Sequence, residues 1–371
     1  MTVSERTRQL AALVDIGDPG TRARVRQAWG RRRVRMPRLR HRRGVRRSRN
    51  ILVYHRVADV ADDPFTLCVS PARFARQMEL LADVADVVRL DQILTVGDRP
   101  KVSVTFDDGY ADNLTHALPI VESLGIPITV FVPSRALGRD SGFWWDRLAE
   151  TLCGRNEVRA ALELPGAPLR VDARGPGAGR RVLHLLAEQL RSLPPTVIDE
   201  FVDTLAAQLG ARSAAPGTGP LVPERAASQT QHWAPGNLGT ATSSRARTLD
   251  VPELRALAAS PLVTIGAHTT DHVRLRFRPA AEQHATISAS KAELEDLLGV
   301  EVHHFAYPFG DAASFDRASV QSVARAGFAT ACTTVDGRVT RWSNRLLLPR
   351  RMVQNWDETT FGSRLEWWRI V

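Results

Sequence analysis

"VSVTFDDGY", residues 102–110, places alternating β-branched residues ahead of two adjacent acids, Asp107 and Asp108, with Gly109 next. The alternation reads as a strand. Two carboxylates at the tip of an apolar strand repel each other and resist desolvation, so a compensating partner is required. Neighbouring side chains on a strand point to opposite faces. Both acids therefore reach one site only if the chain turns at the strand end, and Gly109 permits that turn.

Outward from this stretch the same kind of segment recurs. "ILVYHRV" (51–57), "KVSVTFDD" (101–108), "ITVFVPS" (128–134), "LVTIGAHT" (262–269), "HHFAYPFG" (303–310), "FATACTT" (328–334) and "RLLLPRRMV" (345–353) are seven strand candidates. The connections between them are mostly helical. Ser70-Pro71 opens one helix with an N-cap and a first-turn proline, and Gly125, Gly299 and Gly327 close others. Strands alternating with helices imply a parallel sheet, and seven units favour a closed or nearly closed α/β barrel. The rhythm breaks over residues 135–250. There "WWDRLAETL", "RRVLHLLAEQLRSL" and "TVIDEFVDTLAAQLG" read as helices, followed by a Gly-, Pro-, Ala- and Ser-rich run near 211–247 that reads as a mobile loop. The expected organisation is a basic arm over 1–49 and a barrel over 50–371, interrupted by a helical and low-complexity insertion at 135–250.

The charge is lopsided. The chain of 371 residues has a net charge of +10, yet residues 1–50 hold 16 Arg against Glu5, Asp15 and Asp18. The remainder is thus close to neutral, at about −3. Arginine blocks of this kind repel themselves, so the arm is expected to be disordered and to suit an anionic membrane surface. A nucleic-acid role has only arginine density behind it, with no recognition fold. The three cysteines, Cys68, Cys153 and Cys332, form neither a disulfide framework nor a zinc cluster, which suits a reducing compartment. No run of 18 apolar residues and no basic-then-apolar leader pattern is present, so a cytoplasmic protein, peripheral at the membrane, is expected.

In barrels of this type the active site forms at the C-terminal ends of the strands, and the polar residues gather there. Asp107 and Asp108 end one strand, His268 ends another with His272 four residues on in "HTTDH", and Pro308-Phe309-Gly310 ends a third. His55 lies near the end of the first. Two imidazoles and one carboxylate make a three-ligand set for a divalent metal, zinc first, with a position open for water. One aspartate is then neutralised by the metal and the other is free to take a proton. His303 and His304 enter a strand at the wrong end and read as structural. Asp112 and His116 fall on the following helix and read as exposed or helix-packing. Trp144 and Trp145 either stack on sugar rings or anchor the inserted helices, with the anchor favoured.

"TFDDGY", "HTTDH" and "FAYPFG", in that order, resemble the signature of the polysaccharide deacetylase family, the NodB-homology carbohydrate esterases of family 4. The Tyr-His pair on the first strand resembles the branch acting on exopolysaccharides and poly-N-acetylglucosamine. The resemblance implies a deformed seven-stranded (β/α) barrel that hydrolyses N-acetyl, sometimes O-acetyl, groups of an acetylated glycan or glycolipid. It makes Asp107 the general base and Asp108, His268 and His272 the metal ligands. The segment Tyr307-Pro308-Phe309 becomes the oxyanion and substrate segment, with the backbone N–H of Phe309 facing the developing oxyanion. Two departures stand out. Ala306 replaces an arginine that orients the base, and the late Leu-x-x-His supplying the acid is missing. Arg350 or Arg351 is expected to replace the first and His55 the second, since first and last strands are neighbours in a closed barrel. A catalytically inactive glycan-binding module is the alternative.

Overall fold

The computed structural model describes residues 48–165, 167–210 and 246–371. The expectations for the arm before Ser48 and for the 211–245 part of the loop lie outside these residues. Seven parallel strands form the centre: β1 (Arg49–Tyr54), β2 (Lys101–Phe106), β3 (Ile128–Val132), β4 (Val263–Ala267), β5 (His304–Ala306), β6 (Thr330–Asp336) and β7 (Leu348–Met352). Their order is β1–β7–β6–β5–β4–β3–β2, and β1 also pairs with β2, so the ring closes. The closure is uneven. β4 and β5 share one register pair, Ala267 with Phe305, and β6 meets β7 across an irregularity between Cys332 and Asp336.

The strands alternate strictly. Leu52, Tyr54, Val104, Phe106, Val130 and Val132 face outward into the main core beneath the helices. Ile51, Phe131, Ala306, Cys332 and Leu348 belong to a separate inner cluster. The helices that cover the outside follow their end signals. α1 (Pro71–Val84) has Ser70 as N-cap and α2 (Leu118–Leu124) closes on Gly125 in the left-handed conformation. α7 (Ala280–Leu298) ends at Gly299 as expected. α6 (Val251–Ala258) starts on a reciprocal Asp250–Glu253 capping box, and α8 (Arg317–Arg325) and α9 (Glu358–Trp367) start on Asp316 and Asp357.

Two expectations need correction. The segment 303–310 is a strand only over β5, because Pro308 lacks an N–H for the ladder and the chain turns away there. The insertion is not purely helical. Between α3 (Trp144–Leu152) and the pair α4 (Ala178–Leu190) and α5 (Pro195–Leu209) lies an antiparallel hairpin, Glu157–Leu164 with Ala167–Arg174. The insertion builds its own core from Trp144, Leu148, Val158, Leu186, Phe201 and Leu205, and this core includes Tyr110 from the barrel.

Candidate active site

The barrel mouth is made by the strand alternation and by backbone that departs from it. In β2 Ser103 and Thr105 face inward, so Asp107 continues inward above them. Asp108 would point out, but it lies at φ 76° and Gly109 at φ 64°. The turn expected at Gly109 therefore begins one residue earlier, on the acid itself. Thr269, His272 and Phe309 also sit at positive φ, at 62°, 55° and 60°. Non-glycine residues held there are strained by about 1–3 kcal/mol each, and such strain gathers at sites where side chains must be aimed.

The three expected metal ligands meet. His272 Nε2 lies 3.2 Å and His268 Nε2 3.6 Å from Asp108 Oδ1, and all three side chains are buried. His268 Nδ1 is 2.7 Å from the carbonyl of Ala306. A carbonyl only accepts, so Nδ1 carries a proton and Nε2 is the ring atom that faces Asp108. Burial pushes His272 below the ordinary histidine value against the pull of Asp108. Burial also raises the Asp108 carboxyl, but the two rings outweigh it and hold it well below the usual range. An ionised carboxylate and an imidazole pushed toward its neutral form, as at Asp108 and His272, suit metal ligation. Asp108 Oδ1 is a buried acceptor with no hydrogen-bond partner among the described residues. Ligand atoms about 2.0–2.2 Å from a tetrahedral ion stand roughly 3.3–3.6 Å apart. The donor set and the two separations from Asp108 therefore fit a divalent cation.

Asp107 is held by a different partner. Arg350, fully buried on β7, donates Nη1 to Oδ1 at 2.7 Å and Nη2 to Oδ2 at 2.6 Å. Arg350 is itself fixed by Nε donating to the Thr333 carbonyl at 2.8 Å and lies over Phe131, 5.6 Å from the ring. Phe131 in turn crosses Gly266, where an added Cβ would come within 2.4 Å of the ring. Burial raises the Asp107 carboxyl, and the Arg350 guanidinium brings it below its usual range, so it stays ionised. Arg351 faces the other way, to Asp336 and the Trp367 and Trp368 rings. Of the two candidates, Arg350 is the one at the site.

His55 follows β1 at the rim, half-buried and within electrostatic range of both Asp107 and Asp108. Its carbonyl accepts from Asn113 Nδ2 at 2.9 Å. Phe309 packs its ring 4.7 Å from that of His272, and its backbone N–H has no acceptor among the described residues. Pro308 is buried and accepts from the Gly310 N–H. Tyr307 departs from expectation. Its ring is fully buried against Phe305 and Phe315, and its hydroxyl donates to the Leu346 carbonyl at 3.0 Å. Since position 307 faces outward, its side chain serves the core and not the substrate.

The sequence reading missed a buried network on the side of the insertion. Tyr110 Oη donates to Asp146 Oδ2 at 2.8 Å and accepts from Trp145 Nε1 at 2.9 Å. Asp146 also accepts from the Phe143 N–H at 2.9 Å. Burial pushes its carboxyl up to about 6 despite these donors. Trp145 is thereby held 4.9 Å from the His272 ring, stacked on Phe143 at 4.5 Å. Both inserted tryptophans are buried anchors, and Trp145 also walls the cluster of Asp108, His268 and His272. Asp112 proves buried, paired with Arg56 at 2.9 Å, and His116 holds the Val57 carbonyl.

Comparison with known proteins adds a family to this geometry. The model of the polysaccharide deacetylase family matches residues 96–159 and 225–331. The chain carries a polysaccharide deacetylase domain in these two stretches. The deacetylase is accordingly a hydrolase of carbon–nitrogen bonds other than peptide bonds, acting on acetylated glycans. The two matched stretches contain Asp107, Asp108, His268 and His272. Solved structures share its fold at low identity. A polysaccharide deacetylase from Bacillus cereus is 16% identical, with 87% of this chain and 68% of that one covered and a TM-score of 0.50. The deacetylase PplD of Streptococcus pyogenes, in complex with acetate, is 15% identical over 85% of this chain and 97% of that one, at 0.51. IcaB from Ammonifex degensii is 16% identical over 87% and 97%, also at 0.51. No curated protein matches.

Proposed function

We propose that this deacetylase removes N-acetyl groups from a glycan or glycolipid with the help of a divalent cation, zinc first, held by Asp108, His268 and His272. The observation that carries the proposal is the convergence of these three donors beside an Asp107 gripped by a buried arginine. When bound, such a cation supplies a Lewis acid that acidifies water and polarises the acetyl carbonyl.

The chain's own residues divide the remaining work. Asp107, kept ionised and oriented by Arg350, takes the proton of the attacking water as its oxygen adds to the acetyl carbon. The free N–H of Phe309 donates to the oxyanion that develops on the carbonyl oxygen. His55 gives a proton to the departing amine as the C–N bond breaks, leaving acetate and a free amino sugar. Phe143, Trp145 and Phe309 crowd the His272 side of the site and exclude water there. An inactive glycan-binding module would need neither a paired base nor three buried ligands, and both are present.

The same proposal extends to location. The 14 arginines of residues 22–49 would gain about 1 kcal/mol each near an anionic membrane. Among the described residues no helix is long and apolar enough to cross one. The reading is tested by acetate release across N- and O-acetylated sugars, with bound metal measured before and after chelation. Release from acetamido sugars that stops on chelation and returns with zinc is expected. Release indifferent to chelation by a metal-free chain would overturn the metal assignment.

A further inference from the structure

A cleft opens beside His272 between the insertion and the barrel. Arg139 from the connection before α3, Arg191 from the α4–α5 turn and Arg274 from the loop after β4 line it, with His272 and Phe309 among the same lining residues. Arg139 has no carboxylate partner among the described residues, and its guanidinium lies 5.7 Å from the Phe143 ring. Arg191 reaches Glu188 on its own helix, and its buried Nε has no partner among the described residues. Arg274 holds Asp311 at 3.3 Å and the Ser314 hydroxyl at 3.0 Å.

Two acids, Asp199 and Asp271, share the lining. Asp199 is engaged by Arg147 at 3.3 Å, and Asp271 accepts from the Thr270 hydroxyl at 2.8 Å. The partners of Arg191 and Arg274 are well exposed, so those pairs are weak and leave guanidinium N–H groups to spare. Burial and the nearby Arg274 charge together depress Arg191 below the ordinary arginine value. The two cations repel each other, and an anion between them would relieve both.

We propose that this cleft is an anion subsite and that the substrate is an acidic glycan. It would place the acetamido group at His272 and a carboxylate or phosphate substituent of a neighbouring unit against Arg139, Arg191 and Arg274. Planar guanidinium groups suit either oxyanion. The inference rests on the deacetylase reading of the adjoining site, so its test keeps the two apart.

The intact chain is offered three oligosaccharides that share one acetamido sugar: uronate-bearing, phosphate-bearing and neutral. Acetate release from the neutral one reports deacetylation by itself. The acidic forms should show at least about tenfold higher kcat/KM, narrowing at high salt. Arg139→Gln and Arg191→Gln should each lower the acidic-to-neutral ratio about tenfold, through KM. Calorimetric binding of the same compounds decides the matter without turnover: preferential acidic binding, weakened in both variants, supports the subsite. Equal handling of acidic and neutral compounds, or a ratio untouched by both substitutions, would overturn it.

Discussion

The barrel and the insertion solve the same problem, keeping polar groups inside a core, in opposite ways. In the barrel two buried acids are paired with buried arginines: Arg350 meets Asp107 with two hydrogen bonds, and Arg56 meets Asp112. In the insertion the buried acid Asp146 has neutral hydrogen-bond donors, a phenol and a backbone N–H, and its carboxyl rises to about 6. The contrast separates two jobs. The barrel keeps charge at the mouth of a strand-built site, whereas the insertion supplies an aromatic wall that needs a fixed position but no charge.

Arg350→Gln should break the barrel side hardest. Removing one partner of a buried ion pair costs about 3–5 kcal/mol, and an unaligned base should lose about 10²–10⁴-fold in turnover. Chemical denaturation and acetate release measure the two effects; a stable, active variant would mean that Asp107 needs no arginine. His55→Ala should leave metal binding intact and lower turnover on an amide by about 10²–10⁴-fold. An activated ester, whose leaving group needs little protonation, should suffer much less. Equal losses on both substrates would make His55 a supporting residue and move the acid elsewhere.

Asp146→Asn sharpens the insertion side. Because the folded-state value is raised, the unfolded chain ionises first, and Asp146 destabilises the fold as pH climbs from about 4 through about 6. The asparagine variant escapes this. Its unfolding free energy relative to the parent should rise by up to ~3 kcal/mol between pH 4 and pH 7. A difference that stays flat with pH would show that the carboxyl titrates normally. The joint between the regions should matter least. Arg135 at the root of the insertion grips Glu293 on α7, but the arginine is largely exposed. Arg135→Ala should cost about 0.2–1 kcal/mol in thermal or denaturant unfolding. A larger loss would mean that the two regions are locked together more tightly than this exposure allows.

The barrel was readable because its signals are local. Strand alternation, Ser70-Pro71 and the closing glycines act within a few residues, and the observed α7 ends where Gly299 said it would. The clustering of Asp108, His268 and His272 was readable because Asp107-Asp108-Gly109 and His268-x-x-x-His272 each carry their own spacing. Tyr307 misled because motif position does not disclose which way a side chain points once the strand stops at Ala306. The hairpin was legible in principle: "EVRAALEL" and "APLRVDAR" alternate on either side of Pro165-Gly166. Their mixed Ala and Arg content hid it among helix formers. Asp146 could not be found from sequence, because its partner Tyr110 is 36 residues away and only folding buries the pair.

The central claim is that two adjacent acids have two different jobs, and metal content measured alongside turnover tests it most directly. Asp107→Asn should keep a full complement of zinc while losing acetate release, since it removes a base and not a ligand. Asp108→Asn should lose both. Loss of the metal from Asp107→Asn, with retention in Asp108→Asn, would contradict the account and exchange the two roles.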